Sequence, residues 1–225
     1  MIRFTTKICG ITNVHDGLAV AECGASAIGL NFYERSLRCV SQTVAAVIVS
    51  EIRSQFSNVQ MIGLFVNASS DQIREKSDSI GFDAIQLHGD EPVEIANELA
   101  GLDIIRAVRV LGSDFIAAKQ EIQRWQNAGV TDFLLDAGAR GTFGGTGNQL
   151  EWSKLVDEFG ESCQELILAG GLTPDNVEEA IQIVRPKAVD TASGVEGLPG
   201  KKDPKLVKDF VAAAGRGFER SINSA

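Results

Sequence analysis

A chain of 225 residues can bury one substantial core, and 44% hydrophobic with 23% charged residues is the balance of an ordinary globular protein. The formal net charge of −9, with no basic stripe, excludes nucleic acid as an expected partner. No apolar run approaches the roughly 18–20 residues of a membrane span, and "MIRFTTK" lacks a signal-peptide stretch, so no membrane contact and a cytoplasmic location are expected.

In chain order, the first β-branched run is "FTTKIC" (4–9), which breaks at Cys9 into a glycine turn ahead of a helical pattern at 13–23. "SAIGLN" (26–31) is a second strand, followed by the loop "FYERSLRC" (32–39) and a helix at 41–55. Further strands are expected at 60–66, 83–87, 103–108, 131–135, 165–169 and 187–190. Helical patterns alternate with them at 69–79, 91–100, 112–127, 149–159, 174–184 and 203–214. "SSDQI", "TPDNV" and "KDPKLV" supply helix-start signals, while "GRGFERSINSA" (215–225) reads as a frayed tail. No linker interrupts the rhythm, so residues 1–225 form one domain in this reading.

Eight strand–helix units over this length predict an α/β fold, a single-domain (β/α)8 TIM barrel. The alternative, a doubly wound open sheet, would favour a G-x-G-x-x-G turn after strand one, which is absent. In a barrel the chemistry sits at the carboxyl ends of the strands. That rule selects Cys9, the strand-two loop "FYERSLRC" (32–39), Gln86 and His88, Asp136 in "FLLDAGA", and Asp190. Lys7, two residues before Cys9, is a candidate for tuning its thiol.

Cys9, Cys23, Cys39 and Cys163 form no C-x-x-C pair, and with only two histidines in the chain no metal site is expected. Disulfides are disfavoured in a cytosolic chain of this size, which leaves Cys9 as core filler or as a base.

The loops after strands seven and eight carry the clearest binding signal. "LAGGLTPDN" offers Gly170 and Gly171, and "TASGVE" offers Ser193 and Gly194, each with small residues and free N–H groups. Two such nests side by side would make a barrel phosphate site, whereas single glycine turns alone would not. "GARGTFGGTGNQLEW" (138–152) lacks the G-K-[ST] of a P-loop and reads as a lid over a ligand.

"KICGIT", "GLNFYERSLR", "GLFVN", "IQLHGDE", "FLLDA", "GGTG", "LAGGLTPDNV" and "VDTASGVEGLPGKKD" follow one another at these strand ends. In this set the chain closely resembles the phosphoribosylanthranilate isomerase family of tryptophan biosynthesis, from about residue 5 to 210. The resemblance implies a single barrel that works without metal or organic cofactor on a phosphorylated small molecule, as a monomer or homodimer. It also implies an Amadori rearrangement of N-(5-phosphoribosyl)anthranilate. Asp136 would be the general acid that opens the sugar ring, and Cys9, as thiolate, the base that removes the C2 proton. Arg38 would face the anthranilate carboxylate and Asp190 the sugar hydroxyls, with Gly170, Gly171, Ser193 and Gly194 on the phosphate. Lys7, Gln86 and His88 would line the pocket, and His88 is not required as the main base.

Such roles need a carboxylic acid held protonated near neutrality and a thiol brought down toward it, from about 3.9 and 8.5 respectively. The chain departs from the family pattern in reading Ser36-Leu37-Arg38 where S-P-R is common, and Cys39 where an aromatic is frequent. It also reads "GGTGNQLEW" for an F-D-W ending and "DTASG" for D-V-S-S-G, so Ala192 lacks a hydroxyl that Ser193 keeps. A histidine-pathway isomerase would carry aspartate at the position of Cys9, and a pentose-phosphate epimerase would need histidine ligands this chain lacks. A non-catalytic phosphate-binding barrel is the reading from another class.

Overall fold

Along each short strand alternate residues face the barrel interior, and the residues between them face the surrounding helices. The computed structural model describes residues 3–112, 114–138 and 149–223. It contains β1 (Thr6–Cys9), α1 (Val14–Glu22), β2 (Ala27–Asn31), α2 (Gln42–Gln55), β3 (Gln60–Phe65) and α3 (Ser70–Ile80). Next come β4 (Ala84–Leu87), α4 (Ile95–Glu98), β5 (Ile104–Leu111), α5 (Phe115–Asn127), β6 (Asp132–Gly138) and α6 (Trp152–Phe159). β7 (Leu166–Leu168), α7 (Val177–Val184), β8 (Ala188–Thr191), a hairpin of β9 (Glu196–Leu198) and β10 (Lys201–Lys202), and α8 (Pro204–Asn223) complete it.

Strands β1 to β8 are parallel and close into a barrel, with Thr6 opposite Val189 and Lys7 opposite Asp190 where β8 returns to β1. This is the (β/α)8 barrel expected from the alternation. The barrel interior is filled by Phe4, Ala27, Ile62, Ile105, Leu134 and Ile167 among others, and a second, larger apolar layer lies between the strands and the helices. Fully burying one such side chain contributes about 1.5–3 kcal/mol.

Several boundaries differ from the sequence reading. The helix expected at 91–100 is reduced to Ile95–Glu98. Its neighbourhood is built from tight turns, Ile95 N to Pro92 O and Ala96 N to Val93 O, while the Glu91 carboxylate is engaged by Gly89 N, Asn67 N and Arg106. Helix α5 starts at Phe115 because Asp114 caps it by accepting from Ala117 N at 3.0 Å. Helix α7 starts at Val177, since the Asn176 side chain folds the preceding turn by accepting from Thr173 N. Strands β5 and β6 run on to Leu111 and Gly138, so Asp136 lies inside its strand rather than at its end.

The segment read as a frayed tail is helical to Asn223. Arg216 and Arg220 both pair with Glu178 of α7, and Phe218 packs against the outer core, which gives the last turns a partner. No helix among the described residues is long and apolar enough to cross a membrane.

Candidate active site

The period of two decides which residues reach the mouth. Ile8, Ile28, Ile85, Leu135 and Val189 sit in the outer layer. Their neighbours Lys7, Cys9, Gln86, His88, Asp136 and Asp190 therefore share the inner face, above the apolar plug. All six are at least nine-tenths buried. The strand-end rule had selected all of these except Lys7, and the fold brings all six to one end of one barrel.

On the β1–β8 side, Lys7 is fully buried and donates to Asp190 Oδ1 at 2.9 Å. Burial alone would lower the Lys7 pKa, but the Asp190 carboxylate and the Cys9 sulfur outweigh it and hold the ammonium above its ordinary value. Cys9 carries the opposite balance. Burial raises its thiol above the ordinary value, against the pull of Lys7 and Lys202 toward the thiolate. Burial thus holds Cys9 toward the thiol form, with Lys7 and Lys202 pulling against it.

Arg38 reaches this side from the β2 loop. A Cβ at Gly10, where φ is +79°, would stand 2.5 Å from Arg38 Cδ, so the arginine stem lies across the turn that follows Cys9. Its Nε and Nη2 donate to Glu196 Oε1 and Oε2 at 2.7 and 2.8 Å. Lys202 Nζ donates to the same Oε1 and to Ala192 O, both at 2.8 Å. Burial would raise Glu196, yet its bonds from Arg38 and Lys202 hold the carboxyl below its ordinary value.

Opposite this cluster, His88 Nε2 stands 3.2 Å from Asp136 Oδ2 and Gln86 Nε2 stands 3.0 Å from His88 Nδ1. With the amide so assigned, Gln86 donates to Nδ1, which puts the ring proton on Nε2, toward Asp136. The Asp136 approach is a close contact rather than an aligned hydrogen bond, and neither His88 Nε2 nor Gln86 Oε1 has a hydrogen-bond partner among the described residues. Two buried polar atoms without partners at a barrel mouth suit a polar ligand. Arg109 lies beside Asp136 in register and is paired with Asp90.

The two glycine loops meet. Gly170 and Gly171 have φ of +83° and +64°, and Asn176 Nδ2 donates to Gly171 O at 2.9 Å. Thr191 Oγ1 donates to Leu172 O at 2.7 Å, and a methyl group at Gly194 would collide with that same carbonyl. Ser193 and Gly194 open a 3-10 turn, Ser193–Val195, packed on the Gly170–Leu172 loop. The lid expected from residues 138–152 lies outside the described residues between 139 and 148. All four cysteines are free, and no group of three or more potential metal ligands occurs among the described residues.

Glu196, Lys202 and Arg109 were not among the residues singled out from sequence. The first two fall within "VDTASGVEGLPGKKD", where loop charges ordinarily mean solvated surface. Only the packing of β9 and β10 shows them buried.

A model of the N-(5′-phosphoribosyl)anthranilate isomerase family matches residues 6–213. The N-(5′-phosphoribosyl)anthranilate isomerase of Myxococcus xanthus is 43% identical over 218 residues, 96% of each chain. A crystal structure of the Thermotoga maritima phosphoribosyl anthranilate isomerase superposes with a TM-score of 0.82 at 34% identity, covering 95% of this chain and 99% of that one. A phosphoribosyl anthranilate isomerase in complex with reduced 1-(o-carboxyphenylamino)-1-deoxyribulose 5-phosphate matches with a TM-score of 0.79, the same 34% identity and the same coverage.

Proposed function

The chain belongs to the N-(5′-phosphoribosyl)anthranilate isomerase family, and we propose that Cys9 and Asp136 are the base and acid of its reaction. It is an isomerase of tryptophan biosynthesis, which converts N-(5′-phosphoribosyl)anthranilate to 1-(2-carboxyphenylamino)-1-deoxyribulose 5-phosphate. Asp136 gives a proton to the furanose ring oxygen, the C1–O bond breaks, and a protonated Schiff base forms at C1. Cys9, as thiolate, takes the C2 proton, and the resulting enolamine tautomerises to the aminoketose. No electrons leave the substrate and no co-reactant enters, so two proton carriers suffice.

The observation that carries this reading is the placement of the two groups. They lie on the inner faces of β1 and β6, strands that are not neighbours in the ring, above the same apolar plug. A sugar between them can be protonated from one side and deprotonated from the other. Lys7 and Lys202 favour the thiolate electrostatically, and His88 supports the Asp136 carboxyl. The Gly170–Gly171 and Ser193–Gly194 loops hold the phosphate, Asp190 the sugar hydroxyls and Arg38 the aryl carboxylate. The bound phosphorylated product analogue in a relative agrees with such a ligand. A cytoplasmic location belongs to the same proposal.

The direct test is loss of substrate fluorescence with the purified protein and with Cys9→Ala and Asp136→Asn. Both substitutions should cut kcat by about 10²–10⁴-fold while the circular dichroism spectrum stays unchanged. A folded Cys9→Ala protein that keeps the parent turnover would remove Cys9 as the base.

A further inference from the structure

We propose that Glu196 is a positioning residue that aims the Arg38 guanidinium at the aryl carboxylate of the substrate. The proposal rests on Arg38 being the group that meets this carboxylate.

The argument begins with a missing constraint. Leu37 precedes Arg38 where the family commonly has proline, and its side chain is 79% exposed, so it neither fixes φ nor packs. Ser36 supplies part of the order, since its hydroxyl takes Arg38 N and Asn31 Nδ2, both at 3.1 Å. That fixes the backbone of the loop but not the end of a long side chain. Glu196 does the rest.

A guanidinium offers two forked edges, one from Nε and Nη2 and one from Nη1 and Nη2. Glu196 occupies the first with both oxygens. No hydrogen bond from a described residue takes the end edge, which remains a two-pronged donor for a second planar carboxylate. The clamp is not a surface pair of small effect: the Glu196 and Lys202 side chains are only 5% and 1% exposed.

Lys202 is itself tied to Ala192 O, and its backbone N donates to Asp16 Oδ2 at 3.0 Å. The chain of contacts thus runs from the first helix, through the last hairpin, to the arginine. Two cations sharing one carboxylate leave a net charge of about +1, which a single aryl carboxylate neutralises. Glu196 therefore selects for a ligand with one carboxylate on its ring.

The test compares KM and kcat for Glu196→Gln, Glu196→Asp, Arg38→Ala and the double variant Arg38→Ala/Glu196→Gln. Glu196→Gln should raise KM about tenfold and change kcat by less than about threefold. Glu196→Asp, which keeps the charge on a shorter stem, should fall between it and the parent. In the Arg38→Ala background the glutamine should add nothing, because the group it aims is gone.

A folded Glu196→Gln enzyme with KM unchanged overturns the proposal, as does an equal increase in both backgrounds. If Glu196→Gln does not fold, an unchanged KM in Glu196→Asp overturns it instead. Unchanged KM in Arg38→Ala would be a separate failure, that of Arg38 as the carboxylate reader.

Discussion

His88 Nε2, just past the end of β4, and Asp136 Oδ2 on β6 stand 3.2 Å apart, and Gln86 touches the far side of the same imidazole. A carboxyl group backed by a ring of fixed orientation can be held at one angle to a sugar oxygen. His88→Asn should therefore lower kcat by about 10–100-fold, less than Asp136→Asn, because it loosens the acid without removing it. Steady-state turnover of the two variants side by side checks the order.

Burial pushes the Cys9 thiol above its ordinary pKa. A raised thiol pKa means less thiolate at neutral pH and a reaction rate that keeps climbing in alkali. Alkylation of Cys9 by iodoacetamide, read by mass spectrometry of its peptide, should still accelerate more than one unit above about 8.5, where an ordinary thiol has levelled off. The half-exposed Cys23 and Cys39 should react earlier. Early labelling of Cys9 with a plateau near neutrality would contradict the burial argument.

Lys7 and Asp190 are a buried pair with little solvent to rescue either partner. Lys7→Met should cost about 3–5 kcal/mol, because it strands the carboxylate, and the double variant Lys7→Met/Asp190→Leu should recover much of that loss. Urea denaturation measures both.

Gly194 carries the contact between the two glycine loops proposed to hold the phosphate. Gly194→Ala should cost about 1–3 kcal/mol of stability by forcing the loops apart. It should also raise KM for the phosphorylated substrate, and inorganic phosphate should protect the variant from heat less well than the parent. Equal protection of both proteins would detach Gly194 from phosphate binding.

Ending the chain after Ala214 removes Arg216, Phe218 and Arg220 from the α7–α8 seam. The truncated protein should melt at least about 4 °C lower, since 1 kcal/mol moves a chain of this size by roughly 2–4 °C. Differential scanning calorimetry decides whether that segment is structural.

Much of the barrel was legible because strands with a period of two and helices with a period near 3.6 leave different marks on a sequence. The same alternation places Lys7, Cys9, Gln86, His88, Asp136 and Asp190 at the mouth once the ring closes. What stayed hidden depends on side chains used as fasteners. Glu91 binds backbone N–H groups and Arg106, and the residues after it form turns instead of three turns of helix. Glu196 and Lys202 look like solvated charges until the hairpin folds over them, and the continuation of α8 is visible only through its partner Glu178 on α7.

The closure of β8 onto β1 has a consequence for how the protein is made. Lys7 emerges from the ribosome 183 residues before Asp190, so through most of synthesis its ammonium lacks its counter-ion and β1 presents a bare edge. The Lys7–Asp190 pair and the closed ring can therefore form only after the last strand is synthesised, so a nascent chain stalled before residue 188 lacks the strand that seals the barrel.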